Sequence, residues 1–470
     1  MRPARNCVAV GGVAIFLRII QIIGCISKFS LIESLNPAQI TMNSLENRPV
    51  NVGLIGFGNI GTGVVRWFQD GGGEPFNLRL KRVAVRDLTK PRALQFSPLT
   101  DDPADILRDS SIDIVVELMG GVDNPRRIAL DAIDSGKNVV TANKALLALH
   151  MKEIFDAARS RQVSLGFEAS VAGGIQVINT FGRLRGERIN KLMGIINGTT
   201  NYMLTRMAEE GLAFGTALKG AQEAGFAEAN HILDTGGSDA QGKLAVLAAL
   251  AFNAQIDVNK IPCRGITEIT PIDMDFAKEN GYVVKLLAMA SKEGEAVTMQ
   301  VTPALLKKEH PLASVRNEFN MIYIEGELAG PQTFYGRGAG EKPTSSAVIS
   351  DILDVAEHIR NGTTTRLPRL DSKIDYADPD NLRQAGYIRV NLLDKPGSIA
   401  EVTRIIADKN LNIEDSIQRK KFGEKIRGSM YIPDIITFAR AAQTDIKQAL
   451  EGIANSDRIW GEPFFLPFVD

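Results

Sequence analysis

The chain has 470 residues, 54 Lys plus Arg against 55 Asp plus Glu, and only three cysteines and four histidines. That length calls for two to four domains rather than one core, and the balanced charge argues against a nucleic-acid or anionic-surface partner. Cys7, Cys25 and Cys263 stand in no metal-ligand spacing, which argues against a disulfide scaffold or zinc centre and points to a reducing, cytoplasmic compartment.

Residues 1–48 differ in character from the rest. MRPAR is basic, and VAVGGVAIFLRIIQIIGCI is apolar but interrupted by Arg18. That arginine makes a membrane span costly, and no small-residue cleavage site follows. The segment reads as an extension outside the fold with Met42 as the true start; a targeting or anchoring role is the alternative.

From Pro49 the pattern becomes strand, glycine turn, helix. VNVGLI suits a buried strand, Gly56, Gly58 and Gly61 form G-x-G-x-x-G, and VVRWF begins a helix. In that setting the glycines allow a tight turn and close backbone approach to a pyrophosphate, whose charge meets the helix N-terminus. RVAVRDL predicts the second strand, ending where an adenosine ribose would sit. An acidic tip suits NAD and an arginine suits NADP. Arg86 precedes Asp87, with Lys90 and Arg92 near, so the tip favours NADP(H), against the plainer reading of a solvated loop.

IDIVVELMGG is a third strand with Gly120–Gly121 at its carboxyl end, PRRIALDAIDSG a helix closed by Gly136, and KNVVTANKALLA a strand and turn that leave Lys144 just past the strand. In VSLGFEASVAGGIQVI, Glu168 precedes a backbone-rich SVAGG turn. Its carbonyls and one carboxylate could hold a hard cation; otherwise the turn is simply a tight loop.

The character changes from about Leu184. RINKLMGIINGTTNYMLTRM predicts a strand, a small polar turn at Asn197–Asn201, and a helix whose free amides suit a ligand. Then GFAEANHILDTGGSDAQGK brings Glu228, Asp234, Asp239 and Lys243 into one segment. Asp239 and Lys243 are four apart and share a helix face, and LAVLAALAF continues that helix into a core. A desolvated lysine has a lowered pKa and nearby carboxylates raise it again, a combination suited to proton transfer near neutral pH. From spacing alone, a surface ion pair is the plainer reading.

TEITPIDMDFAKENGYVVKLLAMA, VTPALLKKEHPLASV and MIYIEGELAG continue as strands and helices, and GRGAGEKPTSSAV is a glycine turn before a helix. TTTRLPRLDSKIDYADPDNL reads as a linker. The rest, from GYIRVNLLDKPGSIAEVTRII onward, predicts a small βαββαβ unit.

GFGNIGTG, VAVRDL, VVELMGG, VVTANKALLA, EASVAGGI, GIINGTTNYML and the Gly225–Lys243 stretch occur in the order of homoserine dehydrogenases with a C-terminal ACT domain. The chain resembles that family from about Val50 to its end. The resemblance implies an α/β protein: a Rossmann NAD(P)-binding domain (49–180), an α+β catalytic and dimerisation domain (181–365), a linker (366–384) and a ferredoxin-like ACT domain (385–470). It implies NAD(P)-dependent interconversion of L-aspartate 4-semialdehyde and L-homoserine, toward threonine, methionine and isoleucine, by a homodimer or homotetramer.

By position in these motifs, Lys243 would be the proton donor, with Lys144 beside the cofactor and the reacting oxygen. Glu228 and Asp239 would hold the amino acid part of the substrate. Gly56, Gly58, Asn59, Ile60 and Gly61 would hold the pyrophosphate, with Arg86, Gly120, Gly225 and Gly340 bordering the cofactor. Glu168 with the backbone of Val171, Gly173 and Ile175 would match a structural sodium site. The turn at Asp394–Gly397 would receive an amino acid effector, threonine first. Departures from the family pattern are Asn230 and His231 where it reads D-P, Gln241 for alanine, Gln176 for proline, and the absence of H-P-V after the third ACT strand. They bear on affinity, exact substrate and feedback. Another amino acid dehydrogenase on this scaffold, or a non-catalytic sensor, are the alternatives.

Overall fold

Six short apolar segments in the first part of the chain pair side by side in a parallel sheet. In this computed structural model, which describes residues 48–184 and 186–470, they are β1 (Val50–Ile55), β2 (Leu78–Ala84), β3 (Leu99–Thr100), β4 (Ile114–Glu117), β5 (Asn138–Thr141) and β6 (Leu165–Gly166). The N-terminal extension, with Cys7, Cys25 and Met42, lies outside the described residues. The strand order is β3-β2-β1-β4-β5-β6, and all its pairs are parallel. Val52, Leu54, Ile114, Val115 and Val116 are fully buried, as strands covered on both faces require. The order reverses between β1 and β4, which opens a crevice at their carboxyl ends. Helices α1 (Asn59–Gln69), α2 (Asp123–Asp134) and α3 (Lys144–Arg161) form the crossovers. β2 stops at Ala84, earlier than the apolar pattern suggests. Beyond it Asp87 turns its side chain back onto the Thr89 amide at 2.8 Å, which takes the backbone into a turn.

The second sheet is antiparallel: β7 (Ile189–Ile195), β8 (Tyr282–Glu293), β9 (Ala296–Lys307), β10 (Phe319–Gly326) and β11 (Gly330–Arg337), in the order β11-β10-β7-β8-β9. Helices α4 (Gly198–Glu210), α5 (Phe214–Glu223), α6 (Ser238–Phe252), α7 (Pro271–Glu279) and α8 (Glu341–Arg360) belong to this part of the chain. Leu192, Val284, Leu286 and Ile322 share a core with Leu204 of α4, Leu244 of α6 and Phe276 of α7. The opposite face carries Met193, Ile195, Leu287 and Met321, with Leu312 and Val315 of a short segment packed on it. The centre of α6 is buried nearly all round, from Leu244 to Leu250, as its unbroken apolar run demands.

The last strands complete the βαββαβ unit: β12 (Asp375–Tyr376) in the linker, then β13 (Arg383–Leu393), α9 (Ser398–Asp408), β14 (Ile413–Gln418), the short β15 (Glu424–Ile426), β16 (Ser429–Ala442), α10 (Gln443–Ala454) and β17 (Phe464–Val469). Strand alternation sends Ile388 and Val390 toward α9 and α10 and Tyr387 and Arg389 to the other face. There Arg389 Nε lies 3.0 Å from the fully buried Asp273 of α7, and the Tyr387 hydroxyl donates to the same carboxylate. The two sheets are continuous, because β17 pairs antiparallel with β13 and parallel with β9. Pro49–Ile359 and Thr363–Asp470 thus form one compact unit. Among the described residues no helix is long and apolar enough to cross a membrane.

Candidate active site

The β1–α1 turn passes so close to the end of β4 that a side chain has no room. Gly56 has φ +107°, and a Cβ there would lie 2.5 Å from the Leu118 carbonyl oxygen; at Gly61 it would lie 2.3 Å from that of Gly56. Around Gly58 there is open space, with no atom within 4 Å of a built Cβ. No side chain caps α1, so its first amides remain available to an anion. These residues fit a dinucleotide pyrophosphate. Ser345 Oγ of α8 donates to the Ile60 carbonyl at 2.9 Å, and Arg66 pairs with Glu341, which brings the Gly340 turn onto α1.

At the ribose end, Arg86 is exposed. Asp87 is occupied by the Thr89 amide and hydroxyl at 2.8 and 2.6 Å, and these bonds hold its carboxyl below the usual range. Arg92 reaches back to the Asp87 carbonyl at 2.5 Å and lies 5.8 Å from the Phe57 ring centre.

On the inner side of the crevice Glu117 is fully buried. It accepts from Thr141 Oγ1 and from the Met119 amide, both at 2.6 Å, and burial pushes its carboxyl up. Asn143 donates to the Gly121 carbonyl at 2.9 Å and accepts from the Leu146 amide. It thereby caps α3 and fixes Lys144, the first residue of that helix.

Lys144 meets the second sheet's helices at Asp239. Lys144 Nζ lies 2.8 Å from Asp239 Oδ1, while Lys243 Nζ donates to Asp239 Oδ2 at 2.7 Å and to the Ile196 carbonyl at 2.8 Å. Asn197 Nδ2 donates to Asp239 Oδ2 at 2.9 Å and to Asp234 Oδ1 at 2.7 Å. Burial disfavours the charge of Asp239, but Lys243 and Lys144 outweigh it and hold the carboxyl far below its ordinary value. Burial likewise opposes the charge on Lys144, and Asp239 outweighs it, so the ammonium sits above its ordinary value. Asp234 has no lysine in direct contact and is pushed up by burial.

The structure therefore brings together Lys144, Asp239 and Lys243. It does not bring Glu228 to them: that residue is exposed, and Gln222 Nε2 donates to its backbone carbonyl at 3.4 Å. Gly225 begins the same exposed stretch with φ +77°. Asp234, which the sequence groups with Asp239 and Lys243 without a separate role, and Asn197, expected only as part of a ligand-holding turn, are further participants. Asp234 lies five residues before Asp239 across a double-glycine turn, and Asn197 lies more than thirty residues upstream, so neither pairing has a helical period. Of the departures, His231 Nδ1 contacts Thr235 Oγ1 at 3.0 Å. Gln241 donates to the Ile261 carbonyl at 2.7 Å, pinning α6 to the following loop. Asn230 and Gln176 are exposed.

Glu168 is fully buried. Its two oxygens accept from the Ile178 and Asn179 amides at 2.8 and 2.7 Å, and burial raises its carboxyl to about 7. Val171, Gly173 and Ile175 are buried in the adjoining turn. No cluster of three or more His, Cys, Asp or Glu suited to a metal occurs among the described residues, so a cation at this turn would depend on carbonyl oxygens.

Comparison with known proteins gives three family matches: "Homoserine dehydrogenase, NAD binding domain" over residues 56–168, "Homoserine dehydrogenase" over 177–353, and "ACT domain" over 386–451. The homoserine dehydrogenase of Bacillus subtilis is 37% identical over 382 residues, covering 79% of this chain and 88% of that protein. That of Pseudomonas aeruginosa is 34% identical, covering 88% and 97%. Among solved structures, a homoserine dehydrogenase from Thiobacillus denitrificans superposes with a TM-score of 0.82 at 34% identity, covering 90% of this chain and 99% of that one.

Proposed function

The chain belongs to the homoserine dehydrogenase family, and on that premise we propose which of its residues interconvert L-aspartate 4-semialdehyde and L-homoserine. The observation that carries the assignment is the pair of lysines meeting on Asp239 beside the nucleotide crevice. A nicotinamide cofactor held at the Gly56–Gly61 turn would supply hydride for the aldehyde carbon, or accept it from the carbinol carbon in the reverse direction. Lys243 gives a proton to the developing alkoxide and takes one from the hydroxyl in reverse. Lys144, on the cofactor side, steadies the same oxygen. Asp239 holds both ammonium groups in place. The substrate ammonium falls to Asp234, whose second oxygen has no partner among the described residues, and to Glu228 on the exposed stretch above. Orienting the amino acid end in this way contributes entropically to rate.

The finer assignments rest on separate observations. NADP preference is supported by an exposed Arg86 guanidinium beside an Asp87 already satisfied by Thr89, which leaves a cation rather than a carboxylate for the ribose end. A monovalent cation at Glu168 with the Val171, Gly173 and Ile175 carbonyls is supported by a buried carboxylate that makes no ion pair among the described residues. It would be structural rather than chemical. A homodimer or homotetramer is proposed from the family resemblance, since the sheet face carrying Met193, Ile195, Leu287 and Met321 is already covered within the chain by Leu312 and Val315. An amino acid effector, threonine first, is assigned to the Asp394–Gly397 turn that opens α9.

The test is the absorbance of reduced cofactor when the purified chain meets L-homoserine with NADP⁺ or NAD⁺, with and without threonine. Homoserine-dependent reduction, faster with NADP⁺ and slowed by threonine, is the expected result. A folded protein that binds NADPH but reduces neither cofactor would overturn the assignment and direct attention to the altered Asn230–His231 stretch and another substrate.

A further inference from the structure

We infer that Asn197 is a positioning residue of the active site: its side-chain amide clamps Asp234 to Asp239 and fixes which faces of the two carboxylates turn to the substrate and to the lysines. The inference rests on the active-site reading proposed above and adds to it a residue that touches neither substrate nor cofactor.

Asn197 ends the strand leading from β7 and is the N-cap of α4, 5% exposed. Its Oδ1 accepts from the Thr200 amide at 2.8 Å and from Thr200 Oγ1 at 2.9 Å. A backbone N–H can only donate, so the oxygen must face Thr200 and the NH₂ must face the other way. There it donates one hydrogen to Asp234 Oδ1 and one to Asp239 Oδ2. All four hydrogen-bonding positions of the amide are therefore used.

Capping alone does not select asparagine, since Asn, Asp and Ser serve about equally well at an N-cap. Aspartate would keep the bonds to Thr200 but set a third carboxylate against two others. Serine would keep the cap with a side chain too short to span both. Only the amide offers an acceptor to the helix and two donors to the acidic pair. The other charges at the cluster are Lys144 from α3 and Lys243 from α6, with His231 beyond Thr235. Both lysines contact Asp239 and, among the described residues, neither contacts Asp234, so the Asp234 carboxylate is oriented by Asn197.

The test compares Asn197→Asp and Asn197→Ser with the wild-type full chain. Both variants keep the cap, and the thermal midpoint of Asn197→Ser serves as the folding control. The expected result is an increase of about tenfold to a hundredfold in the KM for homoserine, with NADP⁺ affinity unchanged. In Asn197→Asp the acid limb of the kcat/KM profile also moves to higher pH. A folded variant with the wild-type KM and pH profile would overturn the inference. Carboxyl-¹³C aspartate titration reads the clamp without turnover: the Asp234 and Asp239 signals, assigned with Asp234→Asn and Asp239→Asn, should titrate higher in Asn197→Asp. Unchanged signals overturn the clamp, whereas a wild-type enzyme inactive on homoserine overturns only the reading beneath it.

Discussion

Lys243 places its ammonium 2.7 Å from Asp239, one helical turn before it on α6, and 2.8 Å from the Ile196 carbonyl. Two of the three donors of the ammonium are thereby engaged and the third is left for the crevice. Lys243→Ala should lower turnover by about a hundredfold or more, as loss of a general acid does, with cofactor affinity unchanged. Steady-state kcat beside a binding titration with NADPH checks this, and wild-type turnover in the variant would remove Lys243 from the mechanism.

Asp239 is the counter-charge for both lysines. With Asp239→Asn, Lys243, about 11% exposed in its side chain, loses its carboxylate partner. Lys144, about 40% exposed, can turn to water. The variant should lose about 3 kcal/mol in urea unfolding, the lower end of the range for breaking a buried pair. The sign with pH follows from the depressed carboxyl: its contribution is present above the ordinary value of 3.8 and is lost as pH falls below it. Stability curves for the two proteins should therefore converge in acid.

Much of this arrangement was legible in the chain. The glycine turn, the parallel strands and the Asp239–Lys243 pairing are local patterns with a fixed period, so short windows reveal them. Lys144 and Asp239 are ninety-five residues apart, and only the packing of α3 beside α6 brings them together. The βαββαβ unit was readable from alternation, but its fusion with the catalytic sheet was not, because the Phe468–Leu305 pairing has no local signature. Glu228 shows the converse: a residue in the right motif stands exposed, although Phe226 just before it packs on Tyr202 of α4.

Cofactor choice should turn on Arg86. Arg86→Ala should lower kcat/KM with NADP⁺ by about tenfold or more, on the scale of one charge-assisted contact to phosphate, and leave NAD⁺ nearly unaffected. Parallel assays with the two cofactors decide it; an equal loss with both would place Arg86 outside the ribose site.

Asp273 joins the catalytic part to the ACT part with its two oxygens. Oδ2 closes the capping box of α7 through the Thr270 amide and hydroxyl at 2.7 and 2.9 Å. Oδ1 receives Tyr387 and lies 3.0 Å from Arg389. Because α7 packs on α4, a shift of β13 reaches the helix that begins at Asn197. Asp273→Ala should cost about 3 kcal/mol, as for a broken buried ion pair, and should weaken any threonine response more than basal turnover. Chemical unfolding and threonine titration of the same variant check both parts.

Lys285 on β8 is buried, with no carboxylate in contact among the described residues. It donates to Asn201 Oδ1 at 2.9 Å and to the Val315 carbonyl, and burial lowers its ammonium to about 8 from 10.5. The unfolded chain therefore binds more protons than the native one between pH 8 and 10.5, so stability contributed at this site rises with pH across that window. The difference corresponds to about 3 kcal/mol that the buried charge costs at neutral pH. Its bonds also tie the Asn197–Asn201 turn to the Val315 loop, which is reason for the lysine to be kept. In Lys285→Met the rise in unfolding free energy between pH 8 and 10.5 should shrink by that amount, measured by urea titration at several pH values. A variant with the wild-type slope would show that Lys285 does not titrate there, and unchanged homoserine KM would show that the turn does not depend on it.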